Sequence, residues 1–253
     1  LVAIDDDGTD TYALTALASS GNALAPSLDS GSLAIKYKAG IKLDLVAWNG
    51  GTIFGALSTA STVYNGTTSY DLATGLGGGG WNVSDLLVQD DTTLYGIVNK
   101  SGSNDLIRSA LQSPLGSGAT AVSLDKKDTY RALAIGKDLT ANQAAKVFVV
   151  AKTGASSPIV KMFWSGTTTR AVDISALNAV TDIAVLGTYT YVLDKTATPN
   201  AMLYWFDYKG EPVGSVATGF GTGEALKVTA ARDQIVVFGP TGGQYKYQVV
   251  ARS

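Results

Sequence analysis

Val83-Ser84-Asp85-Leu86-Leu87-Val88, followed after a short polar turn by Leu94-Tyr95-Gly96-Ile97-Val98, decides how this chain is read. Each run is short, rich in branched and apolar residues, and bounded by turn formers such as Asp90-Asp91. That is the pattern of paired β-strands rather than of a helix. The design recurs at Val180-Thr181-Asp182-Ile183-Ala184-Val185 followed by Tyr191-Val192-Leu193. In both places an apolar strand and a polar turn lead into a second strand with an early aromatic.

Working outward, the same unit is found six times. Its first strand is centred on Val2-Ala3-Ile4, Leu45-Val46-Ala47, Leu86-Leu87-Val88, Leu133-Ala134-Ile135, Ile183-Ala184-Val185 and Leu226-Lys227-Val228, at steps of 43, 41, 47, 50 and 43 residues. The second strand opens with Tyr12, Phe54, Tyr95, Phe148 and Tyr191 in five units, and Val236 stands at that place in the sixth. Asn49-Gly50-Gly51 supplies the positive φ of a tight hairpin, and Gly187-Thr188 and Arg232-Asp233 are polar turn pairs. Third strands are expected at Asp105–Leu111, Val160–Trp164 and Ala201–Phe206. Fourth strands are expected at Ala34–Tyr37, Ala121–Leu124, Ala171–Ile174 and Val213–Val216.

Four short strands every ~40–50 residues is the period of a propeller blade. A lone four-stranded meander cannot cover both its faces, so neighbouring meanders must stack. Over its whole length the chain resembles the six-bladed β-propeller superfamily. It carries no signature of an individual family: neither a Trp-Asp dipeptide, nor a paired-glycine kelch pattern, nor an Asp-box is evident. The expectation is an all-β fold, a single six-bladed β-propeller over residues 1–253 with four-stranded antiparallel blades. The sequence leaves the ring's closure open. The last unit ends after a third strand (Gln244 to Ala251), so either the sixth blade has three strands or a closing strand lay upstream of Leu1. Alternatively, Val2-Ala3-Ile4 is itself the closing strand.

Composition excludes several chemistries. The chain has no His and no Cys, which removes His-based triads, imidazole or thiolate metal sites, and disulfides. Glu211 and Glu224 are the only glutamates beside nineteen aspartates, and five Arg are few for clamping phosphates. Net charge is −2 and the basic residues are scattered, so no nucleic-acid footprint is visible. No apolar run approaches the ~18 residues of a membrane helix, so no transmembrane segment is expected. Only 16% of the residues are charged. Together with abundant Gly, Ser and Thr, this points to a secreted, periplasmic or surface-anchored protein, such as the soluble part of a lipoprotein.

Three groups are candidate sites. Asp5, Asp7 and Asp10, with Gly8 between them, space oxygens as a short calcium loop does, and resemble the Asp-x-Asp-Gly loops of some calcium-binding propellers. Calcium is the one cofactor suggested, in competition with a plain solvated turn. Asp44, Asp85 and Asp182 each stand just before an inner-strand triplet, where a propeller has a channel mouth. There they could bind a cation or sugar hydroxyls, or act as acid and base on a glycoside; the plainer role is to accept backbone N–H groups. Trp81, following Gly77-Gly78-Gly79-Gly80, is the tryptophan expected to be exposed as a stacking platform, whereas Trp164 and Trp205 are expected in the core between blades. The functional expectation is a monomeric, non-catalytic extracytoplasmic binding or scaffold module with a protein or glycan partner. The alternative is a carbohydrate-active propeller, a lectin or an Asp-dependent glycosidase.

Overall fold

The computed structural model describes residues 3–6, 11–14, 18–20, 23–25, 34–38, 40–41, 43–48, 53–66, 68–89, 93–103, 105–111, 115–116, 120–123, 128–137, 145–153, 158–164, 167–173, 177, 180–224, 227–231, 234–241 and 244–250. Among these the regular elements are all strands, in six antiparallel sheets. The chain divides into two compact units, residues 1–19 with 25–126, and residues 20–24 with 127–253.

In the first unit, β1 (Ala3–Asp6), β2 (Thr11–Leu14) and β5 (Ala34–Lys38) form a three-stranded sheet in that order. The second sheet runs β6 (Leu45–Trp48), β7 (Ile53–Ala56), β8 (Thr62–Asn65), β9 (Thr68–Asp71). The third runs β10 (Asn82–Val88), β11 (Thr93–Asn99), β12 (Leu106–Leu111), β13 (Thr120–Ser123).

In the second unit the fourth sheet holds β14 (Asp128–Lys137), β15 (Ala145–Thr153), β16 (Pro158–Trp164) and β17 (Thr167–Asp173). The fifth holds β18 (Asp182–Leu186), β19 (Tyr189–Asp194), β20 (Asn200–Phe206) and β21 (Pro212–Gly221). The last begins with β22 (Lys227–Ala231), β23 (Gln234–Thr241) and β24 (Gln244–Val250), then adds β4 (Ala23–Ala25) and β3 (Ala18–Ser20).

The described part of each expected first-strand triplet lies in the first strand of its sheet. Two assignments change. Ala34–Tyr37 is not a fourth strand, because β5 pairs directly with β2, with Tyr12 opposite Lys36 and Ala13 opposite Ile35. The short-handed sheet is therefore the first and not the last, which has five strands.

The recurring aromatic has a physical partner across the hairpin. Ala47 lies opposite Phe54, Ala134 opposite Phe148 and Ala184 opposite Tyr191, whereas Leu87 lies opposite Tyr95 and Asp5 opposite Tyr12. Period-two alternation then sends neighbouring side chains to opposite faces. In the fifth sheet Ile183, Val192 and Phe206 join Ala132, Ala134 and Val160 of the fourth sheet in one core cluster. Ala184, Tyr191, Leu193 and Leu203 join Val228, Ile235 and Val237 of the last sheet in another. A sheet buried on both faces explains its near-continuous apolar inner strand, and each fully buried aliphatic contributes ~1.5–3 kcal/mol.

On the outer strands glycine makes room for rings. Trp205 lies opposite Gly214, and a Cβ there would stand 2.5 Å from the indole Cζ2. The ring continues a row begun by Tyr191, whose centroid is 6.2 Å away.

In the first unit the second and third sheets share a core of Phe54, Val63, Leu72, Trp81, Val83, Leu86 and Leu94. Their seam is stapled by Arg108 of β12, which is 6% exposed. Its Nε donates to the Leu72 carbonyl and its Nη2 to the Thr74 carbonyl, both at 2.7 Å. Gly96, the cross-strand neighbour of Arg108, leaves the space that Leu72 fills, since a Cβ there would lie 2.6 Å from Leu72 Cδ1. Replacing Arg108 by Met keeps the apolar stem but strips both carbonyls of their donor. The expected loss is about 2–3 kcal/mol, read as a lower denaturant midpoint at unchanged m-value, with a smaller loss for Arg108→Lys.

Candidate functional site

The three aspartates expected at one mouth divide into two kinds. Asp182 opens β18 opposite Leu193 and is 3% exposed. Its Oδ2 accepts the Val228 N–H of the last sheet at 2.7 Å, and its Oδ1 lies 3.6 Å from Lys227 Nζ. It therefore joins the inner strands of two consecutive sheets. Asp85 is equally buried, at 5%, and sits opposite Ile97 just past a bulge whose extra residue is Ser84. Measured from the aromatic of the second strand, Asp85 and Asp182 occupy the same register position, two residues beyond Tyr95 and Tyr191 respectively on the partner strand.

Asp44 does not share that position. Leu45 lies opposite Ala56 as Asp182 lies opposite Leu193, and Asp44 N–H donates to Ala56 O as Thr181 N–H does to Leu193 O. A one-residue offset turns a side chain to the other face. Asp44 is accordingly exposed, with Oδ1 accepting the Ser58 N–H at 2.6 Å and Oδ2 accepting the Ser58 hydroxyl. It ties the entry of β6 to the exit of β7. The expected echo of three thus resolves into a matched pair and a separate turn clamp.

Turn carboxylates that sequence reading did not single out behave like Asp44. Asp71 Oδ1 accepts the Ala73 N–H at 2.8 Å. Asp194 Oδ1 accepts both the N–H and the hydroxyl of Thr196 at 2.8 and 2.7 Å. Asp207 Oδ1 accepts the N–H groups of Lys209 and Glu211 at 2.8 and 2.9 Å. The signal was present in Asp194-Lys195-Thr196 and Asp207-Tyr208-Lys209-Gly210: a one-carbon carboxylate reaches the N–H two residues on, as Asx turns require. Glutamate is too long to close that ring, which gives the nineteen-to-two excess of Asp over Glu a structural reason.

Trp81 corrects an expectation. It is buried, at 9% exposure, rather than presented as a platform. Gly77, Gly78 and Gly80 all take positive φ, coiling the tetraglycine back so that the Gly77 carbonyl accepts the indole N–H at 3.4 Å. Lys100 Nζ stands over the ring, 5.8 Å from its centroid. Trp205 is half-buried against the core of the fifth and last sheets; the side chain of Trp164 lies outside the described residues. Of the proposed calcium loop, Asp5 is in β1 opposite Tyr12, and Asp7 and Asp10 lie outside the described residues. No group of three or more acids able to hold a metal occurs among the described residues.

Antiparallel sheets, several of them packed on a neighbouring sheet through a shared core, make the fold all-β. No protein-family profile and no curated protein matches the chain. Among solved structures, a chain in the crystal structure of a nidogen/laminin complex resembles it with a TM-score of 0.54 at 14% identity, covering 87% of this chain and 76% of that one. The likeness is one of fold alone.

The turn at Asp207 gives a pH prediction. The Glu211 N–H above all, with those of Lys209 and Gly210 and the Lys209 ammonium, holds the Asp207 carboxyl below the usual carboxylate range. A depressed folded-state pKa stabilises the fold at neutral pH, and this contribution fades as pH falls through the ordinary value near ~3.9 and then through the lowered one. The stability gap between wild type and Asp207→Ala should be constant above about pH 5 and shrink below about pH 4, as measured by denaturant titrations across that range.

Proposed function

We propose that the chain is a closed six-bladed β-propeller acting as a non-catalytic binding or scaffold module outside the cytoplasm, with a protein partner. The observation that carries this reading is the employment of Asp44 and Asp182, whose oxygens accept backbone N–H groups of the fold. Acid–base work on a glycoside needs a carboxyl pair facing a sugar across a gap, and carboxylates bound to strand backbones are ill suited to that. The fold neighbour belongs to a complex of two proteins, which supports a protein as partner. The low charge supports an extracytoplasmic setting, with which the absence of cysteine is compatible.

A glycan array and a panel of chromogenic glycosides should both be blank, and Asp182→Ala should lower the melting temperature by several degrees. A reproducible glycan or turnover signal that Asp85→Ala abolishes at unchanged melting temperature would instead establish the carbohydrate-active reading.

We also propose calcium binding by Asp5, Asp7 and Asp10. Melting curves in calcium and in chelator should then differ by several degrees, with the difference lost in Asp7→Asn. Coincident curves would remove the ion.

A further inference from the structure

A guanidinium carries five N–H donors in a planar fork. Arg108 of β12 spends two of them, one from Nε on the Leu72 carbonyl and one from Nη2 on the Thr74 carbonyl. Those two donors make up one edge of the fork, and both meet neutral peptide groups. The other edge pairs an N–H of Nη1 with the second N–H of Nη2. Among the described residues this edge has no acceptor, and no carboxylate pairs with the cation. Asp71, next to Leu72 in the chain, holds the Ala73 N–H with its Oδ1 instead.

We propose that the second edge of Arg108 is a binding site for a small oxyanion, gripped by the parallel N–H groups of Nη1 and Nη2 at the seam between the second and third sheets. Burial supplies the driving force. Arg108 is 6% exposed, and a charge taken out of water without a counter-charge is strongly unfavourable. The two carbonyl dipoles offset part of that penalty, and an anion offsets the rest. Access is also provided. Ser84 Oγ is the one sealed side-chain polar atom without a partner among the described residues. Nη1 accepts no place in that class although it too has no partner, so solvent reaches it. Finally, the fork is held in place before any ligand arrives. The bonds to Leu72 and Thr74, both 2.7 Å, fix the guanidinium plane. Gly96 opposite Arg108 lets Leu72 sit close beside it. A fixed planar fork matches two oxygens of a phosphate, sulfate or carboxylate, and little ordering is left to oppose binding. Every residue of the site belongs to the first compact unit. The site stands independently of the partner proposed above.

Inorganic phosphate and acetate serve as probes, each titrated into the full chain at neutral pH against sodium chloride of matched ionic strength. With isotope-labelled arginine, the side-chain NMR signals of Arg108 should shift and saturate at millimolar anion, while those of the other four arginines do not saturate. The Nε–H bonded to Leu72 exchanges slowly with solvent, which singles out the Arg108 signal. Saturating anion should also raise the melting temperature by about 3 °C over the chloride control. Arg108→Lys keeps a positive charge without the planar fork. Its melting temperature should rise only as far as excluded salts stabilise any protein. The NMR shift is read on wild-type protein, so it decides the matter even where the variant does not fold. A response to phosphate alone assigns a free inorganic anion, and an equal response to acetate assigns a carboxylate. Arg108 signals that stay put in both anions, shifts that grow without saturating, or an equal melting-temperature rise in Arg108→Lys would each overturn the site.

Discussion

One geometric constraint governs this molecule: a four-stranded meander has two faces and, alone, nothing to put against either. The fifth sheet shows how that is met. Ile183 turns one way and Ala184 the other, and each enters a different core shared with a different neighbour. Stacking of this kind has no natural end, so a chain built on it must deal with its first and last sheets separately. The irregularities of the fold gather there, in a three-stranded first sheet and a five-stranded last one.

Polar groups follow the same logic. A seam between two sheets is lined by strands whose ladders are already complete, so the backbone groups needing partners lie at turns and strand entries. Asp182 accepts the Val228 N–H across one seam, Asp44 ties the two ends of a hairpin, and Arg108 donates to carbonyls across another seam. These side chains are better understood as extensions of the backbone network than as reagents, and the proposed role rests on that distinction.

What was legible in the sequence was whatever the two-residue period encodes. The inner strands, their turns and the leading aromatics all produce patterns that survive without tertiary context. The Ala opposite Phe54, Phe148 and Tyr191 was equally present but carries no signal by itself. Three things could not be read. The segment Ala18–Ala25 is too short and too small-sided to declare which sheet it joins. The offset of Asp44 relative to Asp85 and Asp182 was hidden because counting from an apolar triplet ignores register: Phe54 lies opposite the third residue of its triplet, Tyr95 and Tyr191 opposite the second. Trp81 was misjudged because a glycine run reads as slack, whereas positive φ at Gly77, Gly78 and Gly80 bends it into a cap over the indole. Loops fail in such readings because their shape follows from what they cover.

The staple at Arg108 has a consequence for how the molecule meets a harsh environment. Its acceptors are two peptide carbonyls, which gain no proton in acid. An ion pair in the same place would weaken as its carboxylate became neutral, and its attraction would be screened by added salt. This seam is insensitive to the first and only slightly exposed to the second. The joint between the second and third sheets thus rests on hydrogen bonds to neutral peptide groups rather than on paired charges.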